Sequence, residues 1–174
     1  MIEIVSSTNR LNSVSMQVSI YYQKLLNTKN LESEIINLAH LPADFLASAL
    51  YENNGKNESF NVIRQKMIDA EKYIFVIPEY NGTFPGVLKT FVDGCKFPET
   101  FTGKKAALVG ISAGIQGGVL ALSHFTDILN YCGTNVLAQK PKLSKINESF
   151  KDGELKNELY VSLLKEQINN FVNF

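Results

Sequence analysis

Charge of one sign is the first thing this sequence does not have in excess. Lysine plus arginine and aspartate plus glutamate number 17 each, so the formal net charge is zero. Binding along a nucleic acid needs a basic excess or stripe, and no basic run occurs, so nucleic acid is not expected as a partner. Long apolar runs are missing as well: none approaches the length of a membrane span. The N-terminal Met1-Ile2-Glu3-Ile4-Val5 leads straight into a strand, without the basic and apolar regions of a signal peptide. The expectation is a cytoplasmic chain with no membrane insertion. Cysteine and histidine are scarce, with two of each. Cys95 and Cys132 lie far apart on expected helices and read as small buried hydrophobes. His40 and His124 stand in no ligand spacing with them, so neither a disulfide nor a metal site is expected. Gly-x-Gly-x-x-Gly and Gly-x-x-x-x-Gly-Lys-Ser/Thr are both absent, which argues against a dinucleotide-binding dehydrogenase and a nucleoside triphosphatase.

What is present is a regular alternation. A chain of 174 residues can bury a substantial core and is expected to form a single domain over 1–174. Apolar, β-branched runs predict strands at 2–5, 33–38, 72–77, 104–111 and 134–137. Helical spacing follows each of them. Val14, Val18, Tyr21 or Tyr22, and Leu25 form one stripe after a cap at Ser13 or Ser15. Phe60, Ile63, Met67 and Ala70 form another after a cap at Ser59. Val87, Leu88, Phe91 and Val92 make a third, and Val119, Leu122, Phe125, Leu129 and Cys132 a fourth. Leu155, Leu159, Leu163 or Leu164, Ile168 and Phe171 predict a last helix from about Asp152. Leu41 to Asn57 is the least regular stretch, with one or two helical turns, and Pro141 to Lys151 reads as a loop. Strict alternation implies parallel strands with right-handed crossovers, hence an α/β three-layer sandwich; a five-stranded parallel sheet of the doubly wound order 2-1-3-4-5 is expected.

In that order the loops after strands one, three and four leave the same carboxyl edge, and they are the three unusual loops of the chain. Residues 6–15 combine the hydroxyls of Ser7, Thr8, Ser13 and Ser15 with the guanidinium of Arg10 at the start of a helix, a donor set suited to a phosphate dianion. Residues 78–86, Pro-Glu-Tyr-Asn-Gly-Thr-Phe-Pro-Gly, hold two φ-fixing prolines, two glycines, an aromatic ring and an amide, which suits a flat heteroaromatic ring. Residues 112–118 pair a hydroxyl with three glycines and could bring backbone N–H groups to a ring carbonyl. Taken singly, each feature also has a plain structural role as a cap, a turn or a connector. Gly110-Ile111-Ser112-Ala113-Gly114 also matches the nucleophile pattern of serine hydrolases, but His124 lies too soon after it for a triad.

The run Ile77-Pro-Glu-Tyr-Asn-Gly-Thr-Phe-Pro-Gly-Val-Leu-Lys89 resembles the signature of the NAD(P)H-dependent FMN reductase family, which is flavodoxin-like and includes quinone, chromate and azo-dye reductases. Ser7-Thr-Asn-Arg-Leu-Asn-Ser13 resembles its phosphate loop, with serine where relatives often begin the loop with glycine, and Ser112-Ala-Gly-x-x-Gly-Gly118 resembles its third flavin loop. The resemblance implies FMN as cofactor and NADPH or NADH as co-substrate. Phosphate contacts would come from Thr8, Arg10, Ser13 and Ser15, and ring and ribityl contacts from Pro78, Glu79, Tyr80, Asn81 and Gly82. Ser112, Ala113 and Gly114 would lie on the other side. It further implies ping-pong hydride transfer to flavin and then to a quinone, free flavin or another small acceptor, with no obligatory side-chain acid or base. A homodimer or homotetramer is implied, with the helix bearing Lys89 and Asp93 in its interface. Two other readings stand beside it: a flavin-binding electron carrier working with a protein partner, and a flavin-free interaction domain.

Overall fold

A computed structural model describes residues 1–174. Its sheet is built from β1 (Ile2–Ser6), β2 (Ser33–Asn37), β3 (Lys72–Pro78), β4 (Lys105–Ile111) and β5 (Asn135–Val136), all parallel, in the order β2-β1-β3-β4-β5. The expected strand order is therefore the observed one. The central strands are buried along nearly their whole length, which is why they read as continuous apolar runs without alternation.

Helices cover both faces. Side chains of α1 (Val14–Asn27) and α7 (Glu158–Asn173) pack with Ile4, Ile74, Val76 and Val109 in one apolar layer. The opposite layer joins Val5, Phe75, Ile77 and Leu108 to α3 (Glu58–Asp69), α4 (Gly86–Gly94) and α5 (Val119–Tyr131). The irregular stretch after β2 belongs to this layer. Its short helix α2 (Phe45–Ser48) and flanking 3₁₀ turns bury Leu38, Phe45, Ala49 and Leu50, so it packs locally.

Three boundaries differ from the sequence reading. Helix α3 is capped by Asn57, whose Oδ1 accepts the N–H of Phe60 at 2.9 Å, and Ser59 lies inside the first turn. Asparagine caps as well as serine does, and Glu58 then sits favourably at the positive end of the helix. Helix α7 begins at Glu158 behind an Asn157 cap, because Asp152 lies in a hairpin turn. The third difference is the segment from 141 to 155, which is ordered structure. Strand β6 (Lys142–Leu143) pairs with the far half of β4, α6 (Ile146–Ser149) follows, and β7 (Phe150–Lys151) pairs antiparallel with β8 (Glu154–Leu155). The fifth position of the sheet is thus split, with β5 beside Lys105 and Ala106 and β6 beside Gly110 and Ile111. Leu155, placed by its spacing on the last helix, belongs to the hairpin and is buried there.

Candidate functional site

Parallel pairing of β1 with β3 and of β3 with β4 sets three carboxyl ends side by side, so residues far apart in sequence open onto one cleft. The cleft has a volume of about 350 Å³. Its walls are Arg10–Ser15, Pro78–Tyr80 and Ile111–Ala113, closed at one side by Ile146 and Asn147.

The first wall is the start of α1. Ser13 caps the helix, its Oγ accepting the N–H of Met16 at 3.1 Å. The amides of Leu11, Asn12, Ser13, Val14 and Ser15 donate to no acceptor in the fold. The ion pairs of the chain all use lysines, so the exposed guanidinium of Arg10 has no carboxylate partner. Free N–H groups, the positive end of a 14-residue helix and an unpaired guanidinium are chemically suited to an anion.

The second wall carries a tight turn. Tyr80 and Thr83 exchange backbone hydrogen bonds at 2.7 and 3.1 Å around Asn81 (φ 50°) and Gly82 (φ 79°). Both central residues are left-handed, the geometry for which Asn-Gly is best suited. The amides of Glu79 and Tyr80 are taken, by Ile111 O at 3.0 Å and by Thr83 O, whereas those of Asn81 and Gly82 are free. Glu79 lines the cleft, and its buried Oε2 has no hydrogen-bond partner. Tyr80 Oη lies 2.8 Å from Thr8 Oγ1.

The third wall is held by Ser112, whose Oγ donates to Gly114 O and accepts the N–H of Gly117, both at 2.9 Å. The amides of Ala113 and Gly114 are free. The loop also docks the segment after β6: Lys145 N–H donates to Gly114 O at 2.9 Å and Ile146 N–H to Ser112 O at 3.0 Å. Those bonds bring Ile146 and Asn147 to the cleft. Sequence reasoning missed both, and no signal marks them, because the contacts that place them are between backbone atoms. Close packing demands glycine nearby: a Cβ on Gly110 would stand 2.4 Å from Gly117 O.

Of the residues singled out in the sequence, Arg10, Ser13, Ser15, Pro78, Glu79, Tyr80, Ser112 and Ala113 line the cleft. Asn81 and Gly82 stand at the tip of the turn beside it, and Gly114 adjoins Ala113. Thr8 is fully buried behind the wall. The hydrolase pattern at Ser112 has no histidine partner: its hydroxyl is engaged within its own loop, and His124 Nδ1 lies 2.9 Å from Thr83 Oγ1. No group of three or more His, Cys, Asp or Glu side chains could hold a metal ion, and no helix is long and apolar enough to cross a membrane. A second cleft of about 500 Å³ opens beyond Asn9, between Leu41, Phe45, Leu46 and Val87. No cationic side chain lines it.

Comparison with known proteins gives the geometry a context. A family model described as NADPH-dependent FMN reductase matches residues 1–147. A 2-hydroxy-1,4-benzoquinone reductase of Burkholderia sp. is 33% identical over 95 residues, which are 53% of this chain and 52% of that protein. The chain thus aligns with only about half the length of that relative. An FMN-dependent NADPH-azoreductase of Staphylococcus aureus is 26% identical over 183 aligned positions, covering 98% of this chain and 94% of that one. Among solved structures, the flavoenzyme NAD(P)H:(acceptor) oxidoreductase FerB of Paracoccus denitrificans superposes with a TM-score of 0.80 at 23% identity, covering 99% of this chain and 94% of that chain. This likeness shows a shared flavodoxin-like fold.

Proposed function

The chain belongs to the NADPH-dependent FMN reductase family, and on that premise we propose that it is an NAD(P)H-dependent, FMN-containing oxidoreductase that reduces a quinone, free flavin or another small acceptor. The observation that carries this reading is that one cleft joins an anion site to a pair of walls bearing free amides. A phosphorylated flat ring needs both.

The residues present fit FMN. Arg10 and the unclaimed amides of 11–15 supply charge-assisted donors for the phosphate. The free amides at 81–82 and 113–114 are the donors that ring carbonyls require, and negative charge placed on a ring beside them would be stabilised. Glu79 Oε2 is a buried acceptor without a donor, and a ring N–H or a ribityl hydroxyl would satisfy it. When bound, FMN supplies hydride acceptance from NAD(P)H and onward reduction of the acceptor, in alternating half-reactions at one site. The protein contributes position, donors and exclusion of water, and no side chain is required as an obligatory acid or base.

We further propose that residues 1–174 act as one domain, in the cytoplasm, as a homodimer or homotetramer. Within α4, Lys89 and Asp93 already pair with each other at 2.6 Å, so an interface there would bury a neutralised pair.

The decisive measurement is the visible spectrum of the purified protein before and after FMN is added, followed by NADPH under anaerobic conditions. Flavin bands that bleach within the dead time or in seconds support the enzyme. Bound flavin that NADPH does not bleach would favour an electron carrier. A protein that never takes up flavin would remove the reading.

A further inference from the structure

We infer that Gln167 is a positioning residue for the flavin cleft: its side-chain amide bridges a break in the sheet and so fixes which residues close that cleft. The inference rests on the flavin reading above. The break lies between β5 and β6, along the outer side of β4. From Ala106 to Gly110 β4 advances four residues, whereas its partner advances six, from Val136 to Lys142, so the outer strand carries two in excess. Backbone bonds hold on both sides, Leu137 N–H donating to Ala106 O at 2.8 Å and Gly110 N–H to Pro141 O at 2.9 Å. Between them no backbone N–H of 138–141 donates to β4, and Gln139 O accepts no backbone N–H. In unbroken register Lys140 would face Gly110, and Ser144 and Lys145 would stand where Ile146 and Asn147 close the cleft.

Gln167, fully buried on α7, spans that gap. Its Nε2 donates to Leu108 O on β4 at 2.9 Å and to Gln139 O on the displaced strand at 3.0 Å. Its Oε1 accepts the phenol of Tyr22 on α1, also fully buried, at 3.0 Å. One amide nitrogen with two protons satisfies two carbonyls at once, which neither a carboxylate nor a hydrocarbon can do. Without it two carbonyls and a phenol would lack partners in the interior, a penalty the chain relieves by letting 138–141 move out to water. The same face of α7 holds the segment twice more. Asn170 Nδ2 donates to Gln139 Oε1 at 2.8 Å, and Tyr160 Oη lies 2.8 Å from Ser144 Oγ. From Ser144 the chain runs directly into Lys145 and Ile146, whose amides dock on the third wall. Gln167 does not line the cleft and acts on it through the segment it anchors.

Local loosening and general destabilisation are separated by hydrogen exchange, read by mass spectrometry, together with FMN dissociation constants from fluorescence titration. Both are to be measured on the wild-type protein, Gln167→Met, Tyr22→Phe and Ile168→Ala, at a temperature where circular dichroism shows each to be folded. Gln167→Met should speed exchange in peptides spanning 138–147 about tenfold or more, leave those spanning 72–78 as in wild type, and weaken FMN about threefold to tenfold. Tyr22→Phe keeps both carbonyl bonds and should match wild type in the 138–147 exchange and in FMN affinity. Ile168, the next residue of α7, lines a hollow with Leu25 and Thr28 of α1, so its truncation lowers stability without touching the bridge. Ile168→Ala should therefore change exchange in the two regions in step and leave FMN affinity unaltered. For Gln167→Met, exchange at 138–147 that is unchanged, or raised only in step with 72–78, would overturn the assignment, as would local loosening with wild-type FMN affinity. Should Gln167→Met not fold, Gln167→Asn, an amide one methylene too short for the span, takes its place with the same expectations. A wild-type protein that takes up no FMN would instead overturn the functional reading, while the exchange comparison still decides whether Gln167 holds the segment.

Discussion

Arg10 and Glu3 illustrate opposite ways a charge can sit in this fold. Arg10 is exposed and unpaired beside free amides, where a dianion would gain charge-assisted hydrogen bonds without losing any existing partner. Such bonds contribute about 1.5–3 kcal/mol each, so Arg10→Ala should weaken FMN binding roughly tenfold to hundredfold. Riboflavin affinity should barely move, and equal losses for both ligands would place the phosphate elsewhere. Glu3 is the contrary case. It is buried in the middle of β1, directly opposite Glu34 on β2, and its Oε2 has no hydrogen-bond partner. Burial, and then the charge of Glu34, push its carboxyl from 4.5 up to about 7, with Lys66 pulling back. Well below pH 4.5 the group is protonated in both folded and unfolded chains, and its ionisation then costs no stability. Between 4.5 and 7 the unfolded chain ionises first, so folding stability falls as pH rises and reaches its full loss above 7. Glu3→Gln should therefore raise stability at pH 8 by roughly 1–3 kcal/mol and change little at pH 4. Urea denaturation at the two pH values checks this, and an equal gain at both would refute the titration.

At the scale of elements, helix starts and loop seams show which local signals are read correctly. Three main helices begin behind a side chain that accepts the N3 amide: Ser13, Asn57 and Asn157. Asn57→Ala should cost about 1 kcal/mol, measured as a shift in the urea midpoint at unchanged slope. Hydroxyl and amide caps look alike in a sequence, and Asn57-Glu58-Ser59 offers both within one turn, so the boundary was open to a two-residue error. The Asp152-Gly153 pair did carry a hairpin signal. Phe150 pairs with Leu155 and Lys151 with Glu154 around it, yet a helical leucine spacing running through Leu155 masked the turn. The seam between β4 and the third loop is tighter. An alanine at Gly110 would drive its Cβ against the carbonyl of Gly117, a backbone atom that cannot swing aside. Gly110→Ala should destabilise by about 2–4 kcal/mol and lower flavin affinity with it, since the displaced loop carries the Ala113 and Gly114 amides.

For the whole molecule, the site exists only because three crossovers return to one edge, so ligand and fold should be thermodynamically linked. FMN at a hundred times its dissociation constant should add about 2.7 kcal/mol, or roughly 5–10 °C in melting temperature for a chain of this size. No shift at saturating FMN, read by circular dichroism, would contradict a site built from folded loops. The composition of the chain, its alternating strands and helices and the Pro-Glu-Tyr-Asn-Gly motif were sufficient to determine the layer architecture, the strand order and the three loops that meet. The layers follow from local periodicity and from the handedness of parallel crossovers, which depend on residue type and little else, whereas the strand order came with the family resemblance that the motif carries. Only the tertiary structure decided which donors remain free, that Thr8 lies behind the wall, that Lys142 and Leu143 complete the sheet, and that Ile146 and Asn147 close the cleft. Those outcomes rest on backbone hydrogen bonds and on close approach between distant segments, and a peptide amide pairs alike whatever side chain it carries.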